Sequence, residues 1–126
     1  MSALQTAPTP VQAGAVVTKA AVRAAAKLGV TARVLAATIG VSEATVSRMR
    51  NGTYALEPGS KPFELAVLFI RLFRSLDAIA GGDEKVAAGW LMSPNSALDA
   101  RPIDKLTTVS GLVDVIAYLD ARRAIV

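Results

Sequence analysis

Apolar residues recur along most of this chain every three or four positions, the spacing of one face of an α-helix. Over 14–28 they are Val17, Ala20, Ala21, Ala24, Ala25 and Leu28, with Lys19, Arg23 and Lys27 on another face. Gly29 ends this helix, and Thr31 offers its hydroxyl as the N-cap of a second that runs through Ile39. Gly40 stops the second helix. Ser42 then caps a third over 43–50, where Glu43 suits the positive helix start. Asn51-Gly52 reads as a turn or helix stop. Residues 1–12, with Pro8 and Pro10 and no apolar period, read as a flexible tail.

The loop 53–61, carrying Pro58 and Gly59, is the expected internal boundary, leaving units at 13–61 and 62–126. A long helix over 62–80 follows, with Pro62 suited to its first turn. Its apolar residues, from Phe63 and Leu65 to Leu76 and Ile79, cover nearly the whole circumference. Such a helix must be buried on most sides, either shared between the two halves or packed on a second subunit. A short helix at 83–91, a loop at 94–102 and a last helix near 110–123 complete the pattern. No strand pattern stands out, so the fold class is all-α.

Composition supports that class and narrows the chemistry. The chain has 126 residues, 52% hydrophobic and 5% aromatic, with no Cys and no His. Zinc fingers, disulfide frameworks, thiol nucleophiles and imidazole bases are therefore excluded. Asp83, Glu84 and Asp104 are the carboxylates an enzyme would have to use. They lie beside turns with no base or metal set converging, so they read as helix-start acids or surface charges. The expectation is a protein that is not an enzyme and needs no cofactor or metal.

Charge is unevenly placed. Residues 1–60 hold Lys19, Arg23, Lys27, Arg33, Arg48 and Arg50 against Glu43 and Glu57, a net of +4, while the remaining residues balance. A basic half suits a polyanion, and a neutral half suits a protein partner. The greasiest stretch, 62–80, is broken by Glu64, Arg71, Arg74 and Asp77, so no membrane span is expected. The N-terminus lacks the basic region of a secretion signal, so a cytoplasmic location is expected.

Two motifs carry function. In 32–51 (ARVLAATIGVSEATVSRMRN), Leu35, Ile39, Val41, Val46 and Met49 are spaced for two helices that cross steeply on one core. Ala36 stands where the helices touch, and Gly40 where the turn reverses. The stretch resembles the helix-turn-helix of Xre/Cro repressors, and its Arg-Asn-Gly end is like that family's. The resemblance implies an N-terminal helix-turn-helix bundle whose helix from Glu43 enters the major groove. Glu43, Ala44 and Arg48 would then face base edges, with Ser47 and Arg50 on the same outward side, and Arg48 suited to guanine. Thr31, Arg33, Thr45 and Asn51 would sit by phosphates, beside the cap Ser42. A three-helix core with a fortuitously basic surface is the plainer reading of the same residues.

The second motif begins at Gly89-Trp90-Leu91 and continues through Pro94-Asn95, Ala97-Leu98, Pro102, Leu106, Thr108, Gly111, Val115 and Leu119. It resembles the toxin-binding domain of Xre/MbcA/ParS-type antitoxins over about 62–126. One departure is Asp99-Ala100, where that family commonly has a Gly. Much of the motif reads as structural, with Trp90 in the core, Asn95 in a turn, Thr108 as a cap and Gly111 at a close approach. Val113, Ile116 and Leu119 are the expected packing stripe of the last helix. The expected partner contacts are Tyr118, Asp120, Arg122, Arg123, Ile125 and Val126.

The resemblance implies a type II antitoxin that neutralises a RES-domain toxin, an ADP-ribosyltransferase-like enzyme that consumes NAD, by occluding its active site. It also implies operator binding and autorepression of the operon. The expected assembly is a homodimer within a larger toxin–antitoxin complex. The alternative is a plain helix-turn-helix repressor whose C-terminal half only dimerises.

Overall fold

The computed structural model describes residues 9–125, which form seven helices. They are α1 (Pro10–Leu28), α2 (Ala32–Ile39), α3 (Glu43–Arg50), α4 (Lys61–Ile79), α5 (Glu84–Met92), α6 (Pro102–Lys105) and α7 (Val109–Ile125). The described residues contain no strand, only an isolated bridge between Asn95 and Ala100. The all-α expectation holds.

Helix boundaries follow local chemistry closely. Thr31, Ser42 and Ser60 each accept a hydrogen bond from the backbone N–H three residues on, satisfying one of the orphan donors of a helix start. Asp83 does the same for α5 through the N–H groups of Lys85 and Val86. Three expectations need correction. Residues 9–12, expected within the tail, are the start of α1. Thr9 and Gln12 form a capping box there, and Pro10 sits in the first turn, where its missing N–H costs nothing. Residues 1–8 lie outside the described part. The expected loop 94–102 hides the start of α6, a single turn opened by Pro102. The stripe of α7 is also shifted: Leu112, Val115, Ile116 and Leu119 are buried, whereas Val113 is 45% exposed.

Helix α4 is the hub. It packs on α1 and α2 on one side and on α7 on the other, while α1 also meets α3 and α5. Its Ala66, Phe69 and Leu72 are fully buried, and Phe63, Leu68, Ile70 and Phe73 are half-buried against the same core. Val67 and Ile79 remain partly exposed.

The 53–61 connection is fastened to α1. Leu56 is buried, and its N–H donates to Thr18 Oγ1 at 2.8 Å. A side chain on Gly14 would collide with the Leu56 carbonyl oxygen, so glycine permits this contact. Gly111 has the same role at the start of α7, where an added Cβ would strike the carbonyl oxygen of Lys105.

Candidate nucleic-acid and protein interfaces

The helix-turn-helix is built from a small shared core. Leu35, Ala36, Ile39, Val46 and Met49 are buried and Val41 is half-buried, as the spacing predicts. Gly40 adopts φ +78°, a left-handed conformation that L side chains resist, and its N–H and that of Val41 both donate to Ala36 O. Ser42 follows directly and starts α3. This turn leaves Glu43, Ala44, Ser47 and Arg48 exposed together on the outer side of α3, with Thr45 half-buried beside them.

The polar groups around that face are ordered before any partner arrives. Ser42 Oγ accepts from the Thr45 N–H (3.0 Å) and donates to Thr45 Oγ1 (2.9 Å), and an Arg48 guanidinium N–H donates to the same Thr45 oxygen (3.3 Å). Asn51 Oδ1 accepts from the N–H and hydroxyl of Thr53. Thr31 caps α2 through the Val34 N–H, and Arg33 lies exposed in that helix's first turn. Thr31 and Ser42 therefore serve first as caps. Each holds a helix N-terminus whose remaining N–H groups favour an anion.

The candidate partner residues of α7 fall into two groups rather than one face. Tyr118 stacks on Trp90 of α5, with ring centroids 6.0 Å apart and planes at 19°, and its hydroxyl accepts from Arg122 (3.0 Å). Trp90, expected in the core, is half-buried at its edge. Asp120 and Arg123 turn instead toward α4. Asp120 accepts from Arg71 and from Ser75 Oγ, and Arg123 donates to the same serine oxygen at 3.1 Å. Nothing in the sequence pairs these residues, which are separated by more than 40 positions. The side chain of Ile125 and the whole of Val126 lie outside the described residues.

Asp120 and Arg123 also border a groove of about 770 Å³ between α1, α4 and the end of α7. Its walls are apolar (Val16, Val17, Ala20, Val67, Ile70), and Arg71 and Arg74 stand at its rim.

Between α5 and α7 the motif does structural work. Asn95 Oδ1 accepts from the N–H groups of Ala97 and Leu98, closing the turn. Asp99 has φ +55°, so it occupies the left-handed position that glycine fills at lower cost. Thr108 caps α7 through the Gly111 N–H. Asp104 is held by two hydrogen bonds from Arg101, which keep its carboxyl below the usual carboxylate range, and Asp83 is the N-cap of α5. Asp104 lines a cleft together with Thr31 and Thr107, and Asp83 is exposed at its helix start.

Comparison with known families also gives two parts, which meet within α4 rather than in the 53–61 connection. Residues 8–71 match the antitoxin Xre-like helix-turn-helix domain. Residues 75–124 match the antitoxin Xre/MbcA/ParS C-terminal toxin-binding domain. No curated protein matches the chain.

Proposed function

Because this chain belongs to the Xre/MbcA/ParS-type antitoxins, we propose that it neutralises a RES-domain toxin and represses its own operon. The observation that carries this reading is the union, on one short chain, of an outward-facing recognition helix and a neutral C-terminal half matching a toxin-binding domain. The α3 face would read base edges through Glu43, Ala44 and Arg48, with Ser47 beside them, while Thr31, Arg33, Ser42, Thr45 and Asn51 hold phosphates. A single unit of this size buries little DNA surface, so two copies on an inverted repeat are the reading consistent with tight operator binding.

Toxin inhibition is assigned to the end of α7. RES-domain toxins consume NAD, and the pocket of such an ADP-ribosyltransferase-like enzyme would hold an acidic catalytic residue. The antitoxin's terminal residues, with Arg122 and Arg123 preceding an apolar pair, are suited to enter such a pocket. A guanidinium there pairs in bidentate fashion with an acidic catalytic residue. Tyr118 and Arg122 are held beside Trp90, and Asp120 and Arg123 on α4, so the helix end is presented rigidly. The protein acts by occlusion and performs no catalysis of its own.

The test is to purify the chain with the toxin encoded beside it and assay NAD consumption. A stable complex without NAD consumption is expected. A toxin that stays fully active and unbound in excess antitoxin contradicts the reading. The plain-repressor alternative gains if operator binding persists and no toxin is bound.

A further inference from the structure

Charge pairing separates the two parts of the chain. Every ion pair among the described residues lies at or beyond Lys61: Lys61–Glu64, Arg71–Asp120, Arg101–Asp104 and Lys105–Asp114. Among the described residues, none of the six cations before Lys61 is paired with a carboxylate. Arg33 and Arg48 belong to the helix-turn-helix surface already described, and Lys27 lies over the Phe73 ring. The other three meet elsewhere.

Lys19 and Arg23, one turn apart on α1, line a shallow groove with Arg50 at the end of α3 and with Gly52 just beyond it. All three side chains are exposed, and no acid lines the groove. Its floor includes the buried Thr18 and Met49. Arg50 lies three positions after Ser47, so the two are neighbours on the surface of α3. The basic groove is therefore continuous with the face assigned to base edges, on the flank where α1 runs beside α3.

We propose that α1 is a second DNA-contacting element, in which Lys19 and Arg23, together with Arg50, hold phosphates of the strand that borders the major groove occupied by α3. This rests on the DNA-binding reading above. Long unpaired cations without fixed hydrogen-bond geometry suit phosphate oxygens, which need charge more than orientation, and they carry no sequence information. An anionic membrane is the other extended polyanion a basic helix meets. A membrane-surface helix presents an exposed apolar face beside its charges. Here Ala21, Ala24, Ala25 and Leu28 of α1 are spent on the core, and the large apolar side chains α1 leaves exposed are Val11 and Val16, too few to make such a face, which favours DNA.

The experiment measures binding by fluorescence anisotropy to two duplexes, the promoter of the chain's own operon and a random sequence of equal length, across a salt series. The variant carrying Lys19→Gln, Arg23→Gln and Arg50→Gln is expected to flatten the plot of log K against log salt by about 0.9 for each phosphate that is no longer neutralised. That change should appear on both duplexes, with the preference between them kept. Arg74→Gln, which removes a charge on the far side of α1, leaves the slope unchanged. Exchanging the three for one another's type (Lys19→Arg, Arg23→Lys, Arg50→Lys) preserves it, separating charge from fold. An unchanged slope in the triple variant overturns the proposal, as does an equal fall with Arg74→Gln. It also falls if the triple variant keeps its DNA slope but releases phosphatidylserine-containing vesicles that the unmodified protein holds. Binding that ignores sequence and is indifferent to Arg48→Ala sinks only the base-reading assignment, whereas no binding to either duplex overturns both.

Discussion

The backbone N–H of Leu56 donates to the hydroxyl of Thr18, 38 positions earlier, and that hydroxyl donates in turn to Gly14 O at 2.7 Å. Both side chains are buried. One threonine thus joins the connection between the DNA-binding helices and α4 to the first helix. Thr18→Val keeps the shape but leaves the Leu56 N–H without a partner, at a cost of about 1–3 kcal/mol. Thr18→Ser retains the bond and should lose much less. Urea denaturation of the two variants separates these outcomes, and equal losses would show that packing rather than the hydrogen bond matters.

Gly111→Ala drives a methyl group into the Lys105 carbonyl oxygen and the Thr108 cap. Backbone on one side and a helix cap on the other leave little room to yield, so the start of α7 must move. Overpacking of this kind costs about 1–3 kcal/mol. The same substitution at Gly89, where nothing lies within 4 Å, should be neutral or slightly stabilising, because alanine is the better helix former. Thermal melts of both variants test the contrast.

Asp99 carries φ +55° in a turn. Asp99→Gly removes the penalty that L side chains meet there and should raise the melting temperature, with a gain of up to about 1 kcal/mol. Asp99→Val should lower it, since branching at Cβ makes that conformation worse. If both changes destabilise, the aspartate side chain has a role beyond the turn.

On the operator, Arg48→Ala should cost about 1–3 kcal/mol and relax preference at one base pair. Competition binding against single-base operator variants gives the answer. A uniform loss on operator and random DNA would make Arg48 a phosphate contact.

The toxin-occlusion reading is sharpened by how α7 is fastened. Because Asp120 and Arg123 bond to α4, removing them disturbs the fold as well as the tail. A chain ending at Arg123 keeps those bonds and removes only the last three residues. It should still bind the toxin while NAD consumption returns in part, because both guanidiniums remain and only the apolar pair is gone. Inhibition as strong as that of the full chain would rule out a plug formed by these residues.

The sequence by itself determined what depends on neighbours along the chain. The caps at Thr31 and Ser42, the left-handed turn at Gly40 and the outward placing of Glu43, Ala44, Ser47 and Arg48 all follow from interactions within a few residues. So does the partition of charge between the halves. Pro10 shows where local reading slips: the same residue ends one segment or opens the next, and only the Thr9–Gln12 capping box decides. Tertiary structure decided what the period leaves ambiguous. Helix α7 is apolar at Leu112, Val113, Val115, Ile116 and Leu119, a band too wide to select one buried stripe. Packing on α4 and α6 buries Leu112 and Val115 and turns Val113 outward. Arg71, Ser75, Asp120 and Arg123 form one network only because α4 and α7 lie side by side. Lys19, Arg23 and Arg50 share one groove for the same reason, since α3 returns alongside α1. Such meetings are set by how helices pack across the core, and no spacing along the chain records them.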